Sequence, residues 1–235
     1  MATDEPPARR QLDLGGIDSD MVFHRNVDFI ISAGTVTFHP RTQEVLVILN
    51  KKYQEDIWQL PKGRRNISEN IRDAAIRETY EETGYHVNLV PVLMPTRATQ
   101  PRSQQPDGPK STVIDHLGTE PVGMVTYTEP GAGSDTDAQK MCFFYLATLA
   151  DPDAAPHENT QDLGEGLEAR WMGVADARAA LRFQAEKEAL MSADVYWTRA
   201  GRPEARPQCA EKGHPTALQK LKAMHGETVA SNVDG

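Results

Sequence analysis

The chain has 235 residues, of which 39% are hydrophobic, with a formal net charge of −9 and a pI of about 5.3. That length suits one domain of roughly 150 residues with tails, or two small domains. The acidic balance argues against general binding to a nucleic-acid backbone, which needs a basic face, but leaves room for a local basic patch that takes a small phosphorylated ligand.

Cys142 and Cys209 form no CxxC, and the seven histidines show no metal spacing, so neither a disulfide framework nor a zinc site is implied. Cys142 lies in the apolar run MCFFYLATL and reads as a core residue. The N-terminal MATDEPPARRQLDLGG lacks the apolar stretch of a secretory signal, and the chain has no apolar run of about 18 residues that could span a membrane. The expectation is a soluble, cytoplasmic or nuclear protein with no membrane or nucleic-acid partner.

In chain order, residues 1–24 are rich in Asp, Pro, Gly and Arg and read as a mobile tail, with order beginning near 21–23. VDFIISAGTVTF, residues 27–38, predicts a strand from its β-branched content. Its small residues Ser32, Ala33 and Gly34 leave room for something to approach the backbone. A turn at 39–43 and the strand EVLVIL, 44–49, complete a hairpin. Lys51, Lys52 and Tyr53 follow, then a short strand at 57–60 whose Trp58 reads as core or as a wall on which a base could stack. Residues 60–65, LPKGRR, read as a turn carrying Lys62, Arg64 and Arg65.

Residues 63–85, GRRNISENIRDAAIRETYEETGY, hold a spaced set: Gly63, Glu69, Arg77, Glu78, Glu81, Glu82 and Gly84. At average residue frequencies such a match is expected by chance in roughly one chain in a million. Glu78, Glu81 and Glu82 stand at i, i+3 and i+4, so a helix places them on one face. Like charges at that spacing oppose the helix, and Arg77 is the cation close enough in sequence to relieve them. Clustered hard carboxylate oxygens suit Mg²⁺, which takes one or two carboxylates, waters and substrate phosphates; Mn²⁺ accepts the same ligands. Ser68 or Asn70 can cap the helix start, and Gly84 can end it in the left-handed conformation.

Beyond this stretch, residues 86–95 predict a strand. An insertion follows near 98–118, and its part from Gln100 to Lys110 reads as disordered. Residues 121–128 and 140–149 predict two more strands, the second apolar enough to be central in the sheet. After a loop at 151–162, residues 165–172 re-enter the sheet, and 174–197 read as one long helix. Gly201, Pro203 and Pro207 break it, and 216–225 could form one more short helix within a C-terminal extension, 199–235.

The spaced set, written as it stands from Gly63 to Gly84, closely resembles the box of the Nudix hydrolases, and the order of strands around it is coherent with that family over 27–182. The resemblance implies an α/β Nudix fold, a mixed β-sheet in an α/β/α sandwich, over a domain at 25–198. It also implies hydrolysis of a pyrophosphate bond in a nucleoside diphosphate linked to another group. By the family pattern Glu78, Glu81 and Glu82 hold Mg²⁺, with the backbone carbonyl near Gly63. Glu69 and Arg77 then hold loop and helix in register, Arg77 orienting a carboxylate. In the family the general base is a box glutamate or an acid outside it. Glu165 is the outside candidate here and Glu168 the second, and both also read as solvated loop. Thr79 and Tyr85 depart from the usual pattern at packing positions.

The box does not select the substrate. Lys51, Lys52, Lys62, Arg64 and Arg65 would suit a highly phosphorylated small molecule. The expected substrates are dinucleoside polyphosphates or diphosphoinositol polyphosphates, with a lean to the first from the run 58–64. An mRNA 5′-end pyrophosphohydrolase and a non-catalytic module that binds a nucleotide or inositol phosphate are the alternatives.

Overall fold

The computed structural model describes residues 12–99, 113–131, 137–162, 164 and 166–201. The segment 100–110, residue Glu165, Cys209 and the helix expected at 216–225 lie outside the described residues.

The sheet is built on two buried strands, β1 (Phe29–Phe38) and β9 (Ala138–Leu149), which pair in parallel from Phe29 opposite Gln139 to Phe38 opposite Thr148. A parallel pair covered on both faces needs near-continuous apolar or small residues, which is what IISAGTVTF and MCFFYLATL supply. β2 (Val45–Asn50) returns antiparallel from β1, with β3 (Ile57–Gln59) and β10 (Leu167–Met172) on it. β5 (Val87–Leu89) and β8 (Gly123–Glu129) pair antiparallel with β9. With β4 (Lys62–Arg64) on β1, these make an 8-stranded mixed sheet.

Side chains alternate across the sheet and define its two faces. Ala33 of β1 and Tyr145 and Ala147 of β9 pack with Ala74 and Ala75 of α2 (Ile71–Thr83). Val36 and Phe38, with Cys142, Phe144 and Leu146, pack with Ala177 of α3 (Val174–Ala180) and Ala189, Leu190, Ala193 and Trp197 of α4 (Gln184–Arg199). Helices thus cover both faces of a mixed sheet, an α/β/α sandwich. Phe38 stacks on Trp197 at 5.2 Å, and Trp197 Nε1 donates to Gln43 Oε1 at 2.7 Å, tying the first hairpin to α4. Cys142 is a core residue, its thiol pushed up to about 12 by burial. Among the described residues no helix is long and apolar enough to cross a membrane.

Several elements differ from the sequence-based expectations. A short helix, α1 (Leu14–Asp20), lies within the expected tail; it buries no residue, and Met21, Val22 and Phe23 after it are exposed. The strand expected at 86–95 is divided into β5 and β6 (Val92–Thr96). β6 leaves the main sheet and pairs with β7 (Ile114–Gly118), so the end of the expected insertion is a strand. The turn expected at 60–65 is instead β4, paired with Ser32, Ala33 and Gly34, the small residues whose backbone was expected to be approached. The long helix expected at 174–197 is broken into α3 and α4. No Gly or Pro lies between 174 and 199 to announce the break. Leu181 turns into the core in an extended conformation, and the Arg182 N–H donates to the Trp58 carbonyl at 2.9 Å. Tertiary bonding therefore outweighs the local helix preference of an Ala- and Leu-rich run.

Candidate active site

α2 begins where Asn70 accepts the Asp73 N–H at 3.0 Å and ends at Gly84, with φ 75°. Ala74 and Ala75 face the sheet at no exposure, and the helix is further seated by a buried hydroxyl chain. Thr79 donates to the Ala75 carbonyl at 2.8 Å. Its oxygen therefore accepts from Thr35 at 2.8 Å, and Thr35 in turn from Thr37 at 2.7 Å, since each hydroxyl has one proton. These hydroxyl bonds seat Thr79, one of the two departures from the usual pattern, at its packing position between helix and sheet.

Glu82 is buried on the same side of α2 as Ala75 and Thr79, and Glu78 and Glu81 lie beside it along the helix. Glu78, Glu81 and Glu82 all line one cleft of about 1120 Å³, as do Gly63 and Arg77. Arg77 supplies the cationic relief the spacing called for. Its Nε and Nη2 donate to the two oxygens of Glu69 at 2.8 and 2.9 Å, and its Nη1 to Glu78 Oε1 at 2.7 Å and Glu81 Oε2 at 2.6 Å. Nη2 also donates to the Arg64 carbonyl at 2.9 Å, joining helix to β4. The Glu69 bonds raise the Arg77 pKa above its ordinary value, and Arg77 in return holds the Glu69 carboxyl below its own.

Glu82 is held differently. Its Oε2 accepts the Lys62 backbone N–H at 2.7 Å. The Lys62 side chain turns away, its Nζ 3.4 Å from Glu186 Oε1 and 3.2 Å from Gln59 Oε1. Burial works against that ammonium, but Glu186 and then Glu82 outweigh it and hold its pKa above the ordinary lysine value.

The loop 157–162 is stitched to the end of α2. His157 N–H donates to the Gly84 carbonyl at 2.9 Å, Thr160 Oγ1 to Glu81 O at 2.9 Å, and Gln161 Nε2 to Glu82 O at 3.4 Å. These bonds take up carbonyls that a helix end leaves unpaired and bring Asp162 into the cleft lining.

The cations expected to face a substrate divide. Lys52, Lys62 and Arg64 line the cleft, together with Lys140. Lys51 pairs with Glu168 at 2.7 Å on the surface, and Arg65 donates to the Glu69 carbonyl at 2.9 Å; neither lines the cleft. Trp58 is half-buried against the core side, with the Arg170 guanidinium 5.4 Å from its ring, and it does not line the cleft. Glu168, bound by Lys51 and Arg170, is also off the cleft. Sequence reasoning missed Glu129, Lys140, Asp162, Tyr127, Phe183 and Glu186, which line it. They come from β8, β9, a loop and the start of α4, with no local motif to mark them. Glu129 accepts from Lys140 at 3.0 Å and Arg64 at 3.1 Å. Burial opposes its charge, but Lys140 and Arg64 leave its pKa below the ordinary carboxylate value.

Among the described residues no three His, Cys, Asp or Glu side chains stand together as a ready metal-ligating group; the Arg77 guanidinium bonds Glu78 and Glu81. The donor chemistry nonetheless fits a hard divalent cation: three carboxylates and the Gly63 backbone line one cleft, and oxygen is the ligand atom such cations take.

A family model described as "NUDIX domain" matches residues 28–193. "Putative nudix hydrolase 1" of Caenorhabditis elegans is 37% identical over 71 residues, which is 30% of this chain and 20% of that protein. An "8-oxo-(d)GTP phosphatase" of Mycolicibacterium smegmatis is 48% identical over 52 residues, 22% of this chain and 16% of that protein. The matched segment thus spans about a fifth or less of the length of these curated relatives. Among solved structures, a NUDIX hydrolase from Nitrosomonas europaea aligns with a TM-score of 0.46 at 16% identity, covering 74% of this chain and 90% of that one.

Proposed function

The chain belongs to the NUDIX domain family, and on that premise we propose that it is a divalent-metal-dependent hydrolase that cleaves a pyrophosphate bond in dinucleoside polyphosphates, with diphosphoinositol polyphosphates as the second substrate class. The observation that carries this reading is the convergence of Glu78, Glu81, Glu82 and Gly63 on one cleft large enough for a two-headed phosphorylated ligand. Sites for drug-sized ligands are typically about 300–1,000 Å³.

A bound divalent cation supplies charge neutralisation at phosphate oxygens and a water of lowered pKa. The chain's own residues do the rest. The Lys62 N–H orients the Glu82 carboxylate, and Arg77 orients those of Glu78 and Glu81. Tyr53, Tyr127 and Phe183 line the cleft with partly exposed rings that can stack on a base. Asp162 joins Glu165 as a candidate outside the box to take a proton from the attacking water.

The charge pattern supports nucleotides over inositol pyrophosphates. Lys62, Arg64 and Lys140 each pair with a glutamate, and Arg77 with three. A heavily phosphorylated inositol would need those cations released, whereas a dinucleoside polyphosphate can draw binding energy from the aromatic rings.

The test is ion-exchange chromatography of products, with Mg²⁺, from diadenosine polyphosphates, an inositol pyrophosphate and a nucleoside triphosphate in parallel, for wild type and Glu82→Gln. Cleavage of the dinucleotide, lost in folded Glu82→Gln, is the expected result. Equal turnover in that variant would remove the role given to Glu82, and faster cleavage of the inositol compound would reverse the order of substrates. Binding without turnover by wild type would identify a non-catalytic module.

A further inference from the structure

Glu186, in the first turn of α4, is 3% exposed, and an acid so placed is costly unless fully paired. We propose that Glu186 is a positioning residue for the box carboxylates, acting through residues 60–63. This rests on the reading above, on its divalent cation for the binding arm and on hydrolysis for the kinetic arm.

Its two oxygens hold two points of that segment. Oε2 accepts the Leu60 N–H at 3.0 Å, just beyond β3, and Oε1 lies 3.4 Å from Lys62 Nζ. Pro61, between them, has no N–H to contribute, and its carbonyl accepts from Thr35 N at 3.3 Å. The segment is thus held from α4 on one side and from β1 on the other. From it, the Lys62 N–H reaches Glu82 Oε2 at 2.7 Å, and Gly63 lies against the Glu78 carboxylate. A side chain 104 positions beyond Glu82 therefore sets the direction of a hydrogen bond to one box glutamate and the seat of another.

The side chains of Lys62 and Glu186 are only 12% and 4% exposed, so the pair is shielded from solvent. Its ammonium is attracted by both Glu186 and Glu82. Loss of the Glu186 charge would leave Glu82 as the stronger remaining attraction for that ammonium. Lys62 Nζ would then compete for the carboxylate that the cation needs.

The decisive experiment measures Mn²⁺ binding to the full chain by electron paramagnetic resonance of free Mn²⁺, beside kcat, KM and thermal unfolding. Glu186→Ala is expected to weaken Mn²⁺ binding about tenfold and to lower kcat by a similar factor, in the range found for groups that orient metal ligands, with KM nearly unchanged. Glu186→Gln keeps an acceptor for the Leu60 N–H and is expected to fall between Glu186→Ala and wild type. Leu190→Ala, which loosens α4 without touching the bracket, is expected to bind Mn²⁺ as wild type does.

Wild-type Mn²⁺ affinity in folded Glu186→Ala overturns the proposal. If that variant does not fold, wild-type affinity in Glu186→Gln overturns it. Equal weakening in Leu190→Ala would reduce the effect to general destabilisation and also overturn it. A wild type that binds Mn²⁺ but cleaves none of the substrates offered refutes the substrate reading, and the Mn²⁺ series still decides the role of Glu186.

Discussion

The Glu78 carboxylate occupies the space that a side chain on Gly63 would need: a β-carbon there would lie 1.8 Å from Glu78 Oε2 and 2.1 Å from its Cδ. The obstructing group is the mobile end of a side chain, so Gly63→Ala can fold by displacing it. The expected result is a small change in melting temperature with a kcat loss of about 100-fold, the cost of a misplacement of about 1 Å in a reacting array. Steady-state kinetics beside circular dichroism would check it. A large stability loss would mean that the carboxylate is not free to move.

Arg77 makes bidentate bonds to Glu69 and reaches Glu78 and Glu81 with the same Nη1. A lysine cannot reproduce that fork. Arg77→Lys is expected to lose about 2 kcal/mol of stability, read as a drop of roughly 4–8 °C in melting temperature, together with activity. An unchanged melting temperature would show that the network contributes orientation only.

The same bonds give a pH dependence. The Arg77 hydrogen bonds depress the Glu69 pKa in the folded state. The stability it contributes is therefore fully present above the unfolded value, about 4.3, and is lost as pH falls through the lower folded value. Wild type and Glu69→Gln should differ in stability near pH 7 and converge as pH falls below about 4. Denaturant titrations across that range measure it, and a constant gap would contradict the assignment.

At Gly84 the obstruction is backbone. A β-carbon would lie 2.3 Å from the His157 carbonyl oxygen, and φ is already 75°. Gly84→Ala is expected to cost at least about 1–2 kcal/mol from the left-handed conformation alone. It should also loosen the loop that carries Thr160 and Gln161 against α2. Thermal unfolding and limited proteolysis near 157–162 would report both effects.

Ser32 presents the reverse case. Its hydroxyl is fully buried and, among the described residues, makes no hydrogen bond. Removing an unpaired buried polar atom without changing shape is neutral or favourable. Ser32→Ala is expected to keep or raise the melting temperature, and a clear fall would reveal a partner for the hydroxyl.

The periodic and capped elements were legible because their signals are local. Asn70 and Gly84 bracket α2 by side-chain and backbone chemistry that acts within a few residues, and the β1 and β9 runs declare a sheet buried on both faces. Misreadings fell where a distant partner overrides local preference. Residues 62–64 become a strand because β1 offers small residues opposite them. The helix after Val174 breaks because the Arg182 N–H finds the Trp58 carbonyl.

The sequence by itself determined the family, the helix that carries Glu78, Glu81 and Glu82, and the pairing of that acidic face with Arg77, since spacing along a helix converts directly into a shared face. Only the tertiary structure decided which cations reach the cleft. It turned Lys51 and Arg65 away and bound Lys62 to Glu186, 124 positions further on. It also brought Tyr127, Lys140, Asp162 and Phe183 to the same cleft. The physical reason is that such contacts depend on strand order and loop path, which no short window of sequence encodes.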